Sequence, residues 1–318
     1  MKKFKKILLV IGLFFLVQSA GCLASTGQKI EAPELKDLTI LVSSTDDYAE
    51  LWEPFCKLLF TYWPSLKTYN SQIPIVLITD ERSFSFPGII NFKGGKNQGW
   101  SKNMKAALSK VTTKYVLYLQ ESYFLSGPVD EKFLSYLFDK MKENKIPYIE
   151  LSKGTPYENA TSFPAIDSAY QKDKQDAHLI STLPALWEKD ELDWLLKDHC
   201  IWGCEFYPKD FAYLGSVRAM GSMQPFLFLQ QNYPITFVKA CHLGFWDHPV
   251  LEFLKTKGIS VANLKLPIDK DYVFTLWLKN NLPGVFRRWV KVLRCFDPKF
   301  KNRDISRLEK YKPQRGSK

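Results

Sequence analysis

Short apolar runs alternate with amphipathic stretches along the first half of the sequence. Four of the runs have the length of buried strands: residues 38–42, 74–78, 115–119 and 148–151. Elsewhere, apolar side chains recur every three or four positions, which predicts helices over residues 51–62, 102–111, 130–144 and 189–197. Strands that alternate with helices at this spacing build a parallel sheet covered by helices. The pattern therefore predicts an α/β fold with a mostly parallel sheet flanked by helices.

Polar clusters follow three of these strands, at residues 43–47, 79–81 and 120–122. Parallel sheets bind their ligands at the carboxyl ends of their strands. Because the carboxyl ends of parallel strands lie at the same edge of the sheet, we expect the three clusters to meet there. The sequence therefore places its candidate ligand-binding residues at the carboxyl edge of the sheet.

The N-terminus has the layout of an export signal, with four lysines before an apolar run at residues 7–17 and small residues after it. Three fates fit this layout: cleavage after Ala24, lipidation of Cys22, or retention as an anchor, since residues 7–24 are just long enough to span a bilayer. We expect four regions along the chain: a signal peptide or membrane anchor (1–24), a linker (25–37), the main domain (38–278) and a basic segment (279–318).

The chain has 44 Lys and Arg residues against 33 Asp and Glu, and the excess lies at its two ends. Residues 2–6 and 279–318 are basic, whereas the body between them is mildly acidic. A nucleic-acid-binding domain carries positive charge on its folded body, so this distribution argues against a nucleic-acid partner. It favours an anionic membrane surface instead. We therefore expect a membrane-associated protein, on a side of the membrane that the sequence leaves open.

Residues 285–296 form a helical wheel with one apolar face and one basic face. The basic face carries Arg287, Arg288, Lys291 and Arg294, and aromatic and aliphatic side chains lie opposite. A basic amphipathic helix of this kind is typical of segments that lie in a membrane interface. The alternative is a C-terminal helix that packs on the sheet and turns its basic face to solvent.

The segment Tyr115–Phe124 is a hydrophobic strand that ends in Gln-Glu-Ser and an aromatic turn. Together with Gly-Trp-Ser-Lys-Asn at 99–103 and the helix after it, this segment is similar to the central block of bacterial GT-A-type nucleotide-sugar glycosyltransferases of polysaccharide assembly. Three later segments resemble the same proteins: 183–187, 192–196 and 202–206. The resemblance covers roughly residues 38–253. It implies a GT-A-like, Rossmann-type fold that transfers sugar from a nucleotide sugar to a saccharide or lipid-linked acceptor.

The resemblance implies a divalent metal, Mn²⁺ or Mg²⁺, on the donor diphosphate. The Asp-x-Asp pattern usual in these enzymes is replaced here by Gln120-Glu121-Ser122, which leaves one carboxylate. Because Mg²⁺ commonly binds through one or two carboxylates plus phosphate oxygens, Glu121 is the candidate metal ligand. The resemblance implies His242 as a second ligand, since GT-A enzymes often bring a late residue back to the metal and phosphates. The alternatives are that no metal is used, that activity has been lost, or that Glu121 is a turn residue.

The same resemblance assigns the catalytic base and the acceptor contacts. Inverting transfer needs a carboxylate that takes the proton of the acceptor hydroxyl, and Glu205 in the Trp-x-x-Glu segment fits that role. Trp187 and Trp202 would offer flat faces to an acceptor sugar. The alternative is that both tryptophans belong to the core and that Glu205 pairs with a lysine.

The donor nucleotide is expected at the ends of the first two strands and at the start of the helix after residue 99. Ser44 and Asp46 on the first strand and Asp80 on the second would accept hydrogen bonds from the ribose and the base. The amides at the start of that helix would bind the diphosphate. The candidate residues there are Trp100, Ser101 and Asn103. The alternative for the serine and the aspartates is a turn or helix-capping role.

Two functions thus follow from the sequence. One is a glycosyltransferase that binds a nucleotide sugar, a saccharide or glycolipid acceptor and an anionic membrane surface. The other is an exported lipoprotein or carbohydrate-binding protein in which the same fold carries no catalysis.

Overall fold

The apolar runs of the sequence form the central strands of one mixed sheet. A computed structural model of the protein describes residues 35–68, 72–96, 98–151, 161–171, 181–196, 226–242, 244–261, 266, 268–269, 282 and 284–285. In chain order its strands are β1 (Leu38–Ser43), β2 (Ile75–Thr79), β3 (Ile90–Lys93), β4 (Tyr115–Gln120), β5 (Tyr123–Leu125), β6 (Tyr148–Glu150), β7 (Thr161–Ser162), β8 (Ala169–Gln171), β9 (Ala185–Glu188), β10 (Phe226–Leu229), β11 (Phe237–Lys239), β12 (Cys241–His242), β13 (Phe245–Asp247) and β14 (Ile268–Asp269).

Over the described residues, nine strands lie side by side in the order β3-β2-β1-β4-β9-β6-β10-β8-β7. β1 is parallel to β2 on one side and to β4 on the other, and β3 is parallel to β2. β9 is antiparallel to both β4 and β6, so β6 and its parallel neighbour β10 run in the same direction as β4. The predicted α/β fold with a mostly parallel sheet is confirmed.

The helices lie close to the predicted positions. After a 3-10 turn (Asp46–Tyr48), they are α1 (Ala49–Tyr62), α2 (Ser65–Thr68), α3 (Trp100–Leu108), α4 (Glu131–Glu143), α5 (Lys189–Leu195) and α6 (His248–Thr256). α4 begins where expected because the Asp130 side chain accepts a hydrogen bond from the Phe133 amide at 3.0 Å, which caps the helix. The pattern of the sequence did not predict α6, which has a proline in its first turn.

α3 ends at Leu108, three residues earlier than predicted. The amides of Lys110 and Val111 bond to the carbonyls of Ala107 and Leu108, three residues back. This spacing is that of a 3-10 turn, which tightens the chain and closes the helix. The apolar Val111 is nevertheless buried. The apolar pattern therefore predicted the burial of this residue correctly, but it placed the end of the helix wrongly.

Helices cover both faces of the sheet. On one face, Leu51 and Phe55 of α1 and Leu134 of α4 pack with Ile40 and Val42 of β1. On the other face, residues of α3 and α5 pack with the intervening side chain of β1; this cluster includes Leu41, Met104, Leu108, Leu192 and Leu195. Alternate side chains of one strand therefore belong to two cores, as a sheet buried on both faces requires.

The chain changes direction across the sheet at β1. From β1 the chain continues through α1 to β2 on one side, and after β3 it passes through α3 to β4 on the other side of β1. α1 and α3 lie on opposite faces. The carboxyl ends of β1 and β4 therefore border the topological switch point, where open α/β sheets bind their ligands.

Several predicted regions lie outside the described residues. These are the signal or anchor at 1–24 and most of the linker, together with all of the basic amphipathic helix except Val285. Within the part of the chain that the structure describes, no helix is long and apolar enough to cross a membrane.

Candidate functional site

Two aspartates join the carboxyl ends of β1 and β2. The Asp46 carboxylate accepts hydrogen bonds from three successive amides, those of Asp80, Glu81 and Arg82, each at 3.0 Å. In return the Asp46 amide donates to the Asp80 carboxylate at 3.1 Å. Asp46 and Asp80, both predicted to bind the nucleotide donor, are therefore joined by reciprocal hydrogen bonds, although they are separated by 34 positions in the sequence.

The start of α3 bonds to the same corner of the sheet. Asn103 donates from Nδ2 to the Asp80 carboxylate at 2.9 Å, and Trp100 donates from Nε1 to the Ser43 hydroxyl at 2.8 Å. Gly94 lies so close to Asn103 that a Cβ at this position would overlap its side chain. The absence of a side chain at position 94 therefore allows the loop after β3 to approach α3. The predicted residue Ser101 lies beside these groups in α3 and is buried.

Ser44 completes this corner. Its hydroxyl accepts a hydrogen bond from Trp52 Nε1 at 2.6 Å and donates to the Thr45 carbonyl at 3.3 Å. We call the whole set the β1–β2 clasp: Ser43, Ser44, Asp46, Asp80, Trp100 and Asn103. The structure thus brings together five of the predicted donor-binding residues, and it shows that bonds within the protein already engage them.

The Asp80 carboxyl has a pKa above its ordinary value. Desolvation is the largest cause, and the nearby Asp46 and Asp47 charges add to it, while the Asp46 amide and Asn103 hydrogen bonds oppose it. Asp46 and Asp80 are both half-buried. The Asp80 carboxylate accepts two hydrogen bonds and the Asp46 carboxylate three, so Asp80 has more capacity left for a ligand hydroxyl.

Glu121 stands at the other side of the switch point, directly after β4. Its amide donates to the Ser43 carbonyl at 3.3 Å, so its backbone is tied to the end of β1. The residue is only 5% exposed. Burial raises the pKa of its carboxyl to about 8, and a hydrogen bond from its own amide offsets this only in part. At neutral pH burial therefore favours the protonated, uncharged form of the Glu121 side chain.

The second predicted metal ligand comes near Glu121 through the backbone. The Ala240 amide donates to the Ser122 carbonyl at 2.7 Å, which places the start of β12, and with it His242, beside the end of β4. Among the described residues, however, no three His, Cys, Asp or Glu side chains gather in one place. Within the described part of the chain, Glu121 therefore offers a single carboxyl, and a divalent ion there would take its other ligands from the phosphate oxygens of the donor.

Trp187 lies in the core and corrects the prediction that it contacts the acceptor. It is 2% exposed, and its ring centroid lies 4.3 Å from that of Tyr148. A ring enclosed in this way has no face to offer a sugar, because both of its sides are packed. The other predicted acceptor contact, Trp202, and the predicted base, Glu205, lie outside the described residues.

One polar residue at this edge escaped the pattern analysis. Glu150, at the carboxyl end of β6, is fully buried and accepts a hydrogen bond from the Tyr148 hydroxyl at 3.0 Å. The sequence did offer a signal: Glu150 is a charged residue inside an apolar run. Acidic residues are seldom buried unless they have a partner, so this position could have been singled out. The register places it level with Tyr118 of β4 across β9, so it belongs to the same edge as the β1–β2 clasp.

No protein-family model matches this sequence. No curated protein matches it either.

Solved structures with a similar arrangement of the chain include a mannosyltransferase from Pyrobaculum calidifontis in complex with GDP-Man and Mn²⁺. That match covers 67% of this chain and 59% of the other, with 10% identity and a TM-score of 0.43. S. aureus TarS matches over 51% of this chain and 48% of its own, with 12% identity and a TM-score of 0.31. A cytidylyltransferase from Leptospira borgpetersenii matches over 73% of this chain and 99% of its own, with 13% identity and a TM-score of 0.38.

This chain thus spans less than two thirds of the mannosyltransferase and of TarS. A mannosyltransferase and a cytidylyltransferase both occur among these matches. The resemblance to GT-A-type transferases is therefore a weak one, at the level of the pattern of the fold.

Proposed function

We propose that the protein is a glycosyltransferase that moves a sugar from a nucleotide-sugar donor to a saccharide or lipid-linked acceptor. The observation that carries the proposal is the carboxyl edge of the sheet at the topological switch point, bordered by the β1–β2 clasp on one side and by Glu121 on the other. Open α/β sheets bind nucleotides at this place. The buried carboxyl of Glu121, whose pKa is shifted, lies at this edge and further supports a functional site.

In this proposal the clasp receives the nucleoside part of the donor. The Asp46 carboxylate is engaged by three amides, which fixes the loop at 80–82 against the end of β1. Asp80 has further lone pairs, because a carboxylate can accept about four hydrogen bonds and only two are used here. Asp80 is therefore the acceptor for a ribose hydroxyl.

Glu121 in its protonated form is suited to a diphosphate. A neutral carboxyl donates a hydrogen bond to a phosphate oxygen, whereas an ionised carboxylate next to a diphosphate needs a cation between them. A divalent ion that arrives with the donor would have to displace this proton. Binding with and without Mn²⁺ therefore separates the two modes.

The test is a thermal-shift measurement on the full chain with UDP, GDP, UDP-GlcNAc and GDP-Man, each with and without Mn²⁺. A ligand of the folded state at about 100 times its Kd stabilises by about 2.7 kcal/mol, which raises the melting temperature by several degrees. Glu121→Gln keeps a hydrogen-bond donor and should keep the metal-free shift, whereas Glu121→Ala should lose most of it. Glu81→Ala, at an exposed site, is the matched control. If no nucleotide shifts the wild type, the proposal fails.

Turnover is tested separately, through the predicted base. Glu205→Gln keeps the shape of the side chain and removes its capacity to take a proton. We expect turnover to fall by about two to four orders of magnitude while the nucleotide-induced thermal shift persists. Unchanged turnover would show that another group takes the proton.

Membrane association is a further part of the proposal, and it rests on the basic ends of the sequence. Each Lys or Arg near an anionic bilayer contributes about 1 kcal/mol, and salt screens the attraction. Vesicle sedimentation of the full chain should therefore require anionic lipid and weaken with added salt. Replacing Arg287, Arg288, Lys291 and Arg294 with Gln should weaken it as well; binding that none of these changes affects would rule out the electrostatic contact.

A further inference from the structure

A second concave site lies on the same edge of the sheet, where β10 ends and β8 begins. It is a cavity of about 370 Å³. Its polar walls are Asp167, Ser168, Gln230, Gln231 and Asn232, and two aromatic rings, Phe133 and Tyr170, complete the lining. We call this site the turn pocket. Its volume falls at the lower end of the range of about 300–1,000 Å³ that is usual for small-molecule sites.

The backbone holds the walls of the turn pocket in place. The Gln230 amide donates to the Ser168 carbonyl at 3.1 Å, which ties one turn to the other. Ser168 and Asn232 both have positive φ angles, 66° and 55°, so each turn is a tight left-handed bend. Tyr170 packs against Phe228 of β10, with 5.9 Å between ring centroids. The cavity is therefore formed without a ligand.

The polar side chains of the turn pocket have no partner within the described part of the chain. Asp167, Gln230, Gln231 and Asn232 make no side-chain hydrogen bond or ion pair there. This is unlike the β1–β2 clasp, whose side chains bond to one another. Each of the three amides can both donate and accept, so together they suit a ligand that has hydroxyl groups in several directions.

The charge of the turn pocket narrows the class of ligand. Its described lining contains one carboxylate, Asp167, and no lysine or arginine. Among the described lining residues, an anionic ligand such as a nucleotide or a phosphate would meet a like charge and no cation. A neutral ligand with many hydroxyls and an apolar face matches the amides, the carboxylate and the rings of Phe133 and Tyr170.

We propose that the turn pocket binds one neutral sugar unit of a saccharide. β10 runs parallel to β4 and is three strand positions away from it. At about 4.8 Å per strand, the pocket lies about 14 Å along the edge from the end of β4. This proposal rests on the proposed function: the turn pocket holds a unit of the acceptor chain a few sugars away from the unit that is modified at the switch point.

The test is ligand-observed saturation-transfer NMR on the full chain without any nucleotide. The probes are the neutral trisaccharides maltotriose, mannotriose and chitotriose, each measured singly, and lactose compared with its sialylated, anionic form. We expect at least one neutral trisaccharide to bind, and lactose to bind more tightly than the sialylated form. If none of the neutral probes binds, or if the anionic sugar binds best, the proposal is overturned.

Variants locate the binding. Gln230→Ala with Gln231→Ala should weaken binding of the responding trisaccharide by about fivefold for each hydrogen bond lost. Tyr170→Leu should weaken it further by removing the ring. Gln98→Ala changes an exposed glutamine beside the β3–α3 loop and should leave binding unchanged. Equal binding in the Gln230/Gln231 variant would place the sugar elsewhere and overturn the assignment. If the protein binds these sugars but no nucleotide, the assignment of the turn pocket stands and the proposed transferase function fails.

Discussion

At the carboxyl ends of β1 and β2, polar side chains bond to one another; at the carboxyl end of β10, the polar side chains bond to nothing in the described part of the chain. In the clasp, the Asp46 carboxylate accepts hydrogen bonds from three amides, and Asn103 donates to the Asp80 carboxylate. The turn pocket leaves three amides and a carboxylate exposed to solvent around a cavity.

The two regions therefore make different contributions to the protein. Hydrogen bonds within the clasp connect β1, β2 and α3 and so contribute to folding stability. The polar side chains of the turn pocket contribute little to stability, and their removal is expected to affect ligand binding instead. Glu121 is a third case: its carboxyl is buried and has no ion-pair partner among the described residues, so its ionisation lowers stability.

The largest expected effect is the dependence of stability on pH at Glu121. Its pKa is about 8 in the folded protein and 4.5 in the unfolded chain, so the folded state holds the proton more tightly. The stabilisation is full below about pH 4.5 and is lost as pH rises through 8, by more than about 1 kcal/mol for each pH unit. Denaturant unfolding at pH 5 to 8 should show wild-type stability falling relative to Glu121→Gln, which cannot ionise. The exposed-site variant Glu81→Gln is the control; a constant difference between wild type and Glu121→Gln would contradict the burial of this carboxyl.

Asp46→Ala should be the most destabilising substitution in the clasp. It leaves three amides without their acceptor and frees the loop at 80–82, at a cost of about 3 kcal/mol. Chemical denaturation measures the change directly. Asp47→Ala is the matched control, because it removes an exposed aspartate from the same 3-10 turn. Equal losses in both variants would mean that charge, and not the bonds to the three amides, accounts for the effect.

Gly94→Ala should follow, with a loss of about 2 kcal/mol. The added Cβ overlaps the Asn103 side chain, which cannot turn away without giving up its bond to Asp80. Combining the change with Asn103→Ala removes the two nearest atoms but keeps the Asn103 Cβ, 2.7 Å from the added Cβ, so it should relieve part of the overlap. The double variant should therefore lose less than the sum of the two single variants. Strict additivity would show that the loop and α3 do not touch at this point.

The smallest expected effect is that of Gln231→Ala in the turn pocket. Its side chain is exposed and has no partner among the described residues, so we expect a change below about 0.5 kcal/mol in unfolding free energy. If Gln231→Ala lowered the unfolding free energy as much as Asp46→Ala, the proposed difference between the turn pocket and the β1–β2 clasp would be wrong.

Much of the fold was predictable from local pattern. The strands at 38–42, 75–78, 115–119 and 148–150 and the parallel direction of most of the sheet follow from short apolar runs that alternate with amphipathic stretches. That polar clusters would meet at the carboxyl edge followed from the same alternation. Local pattern reports burial because the period of a helix or a strand repeats within a few residues.

Tertiary structure alone decided what each polar residue does. The sequence by itself placed Asp46 and Asp80 at two strand ends, but the bonds between them depend on β1 and β2 being neighbours in the sheet. It placed Trp187 beside an acid-rich helix, and only the packing of β9 between β4 and β6 encloses that ring. The turn pocket combines residues from three separate stretches of the chain, at 133, 167–170 and 230–232. Contacts between such distant stretches depend on strand order and packing, which no short stretch of sequence contains.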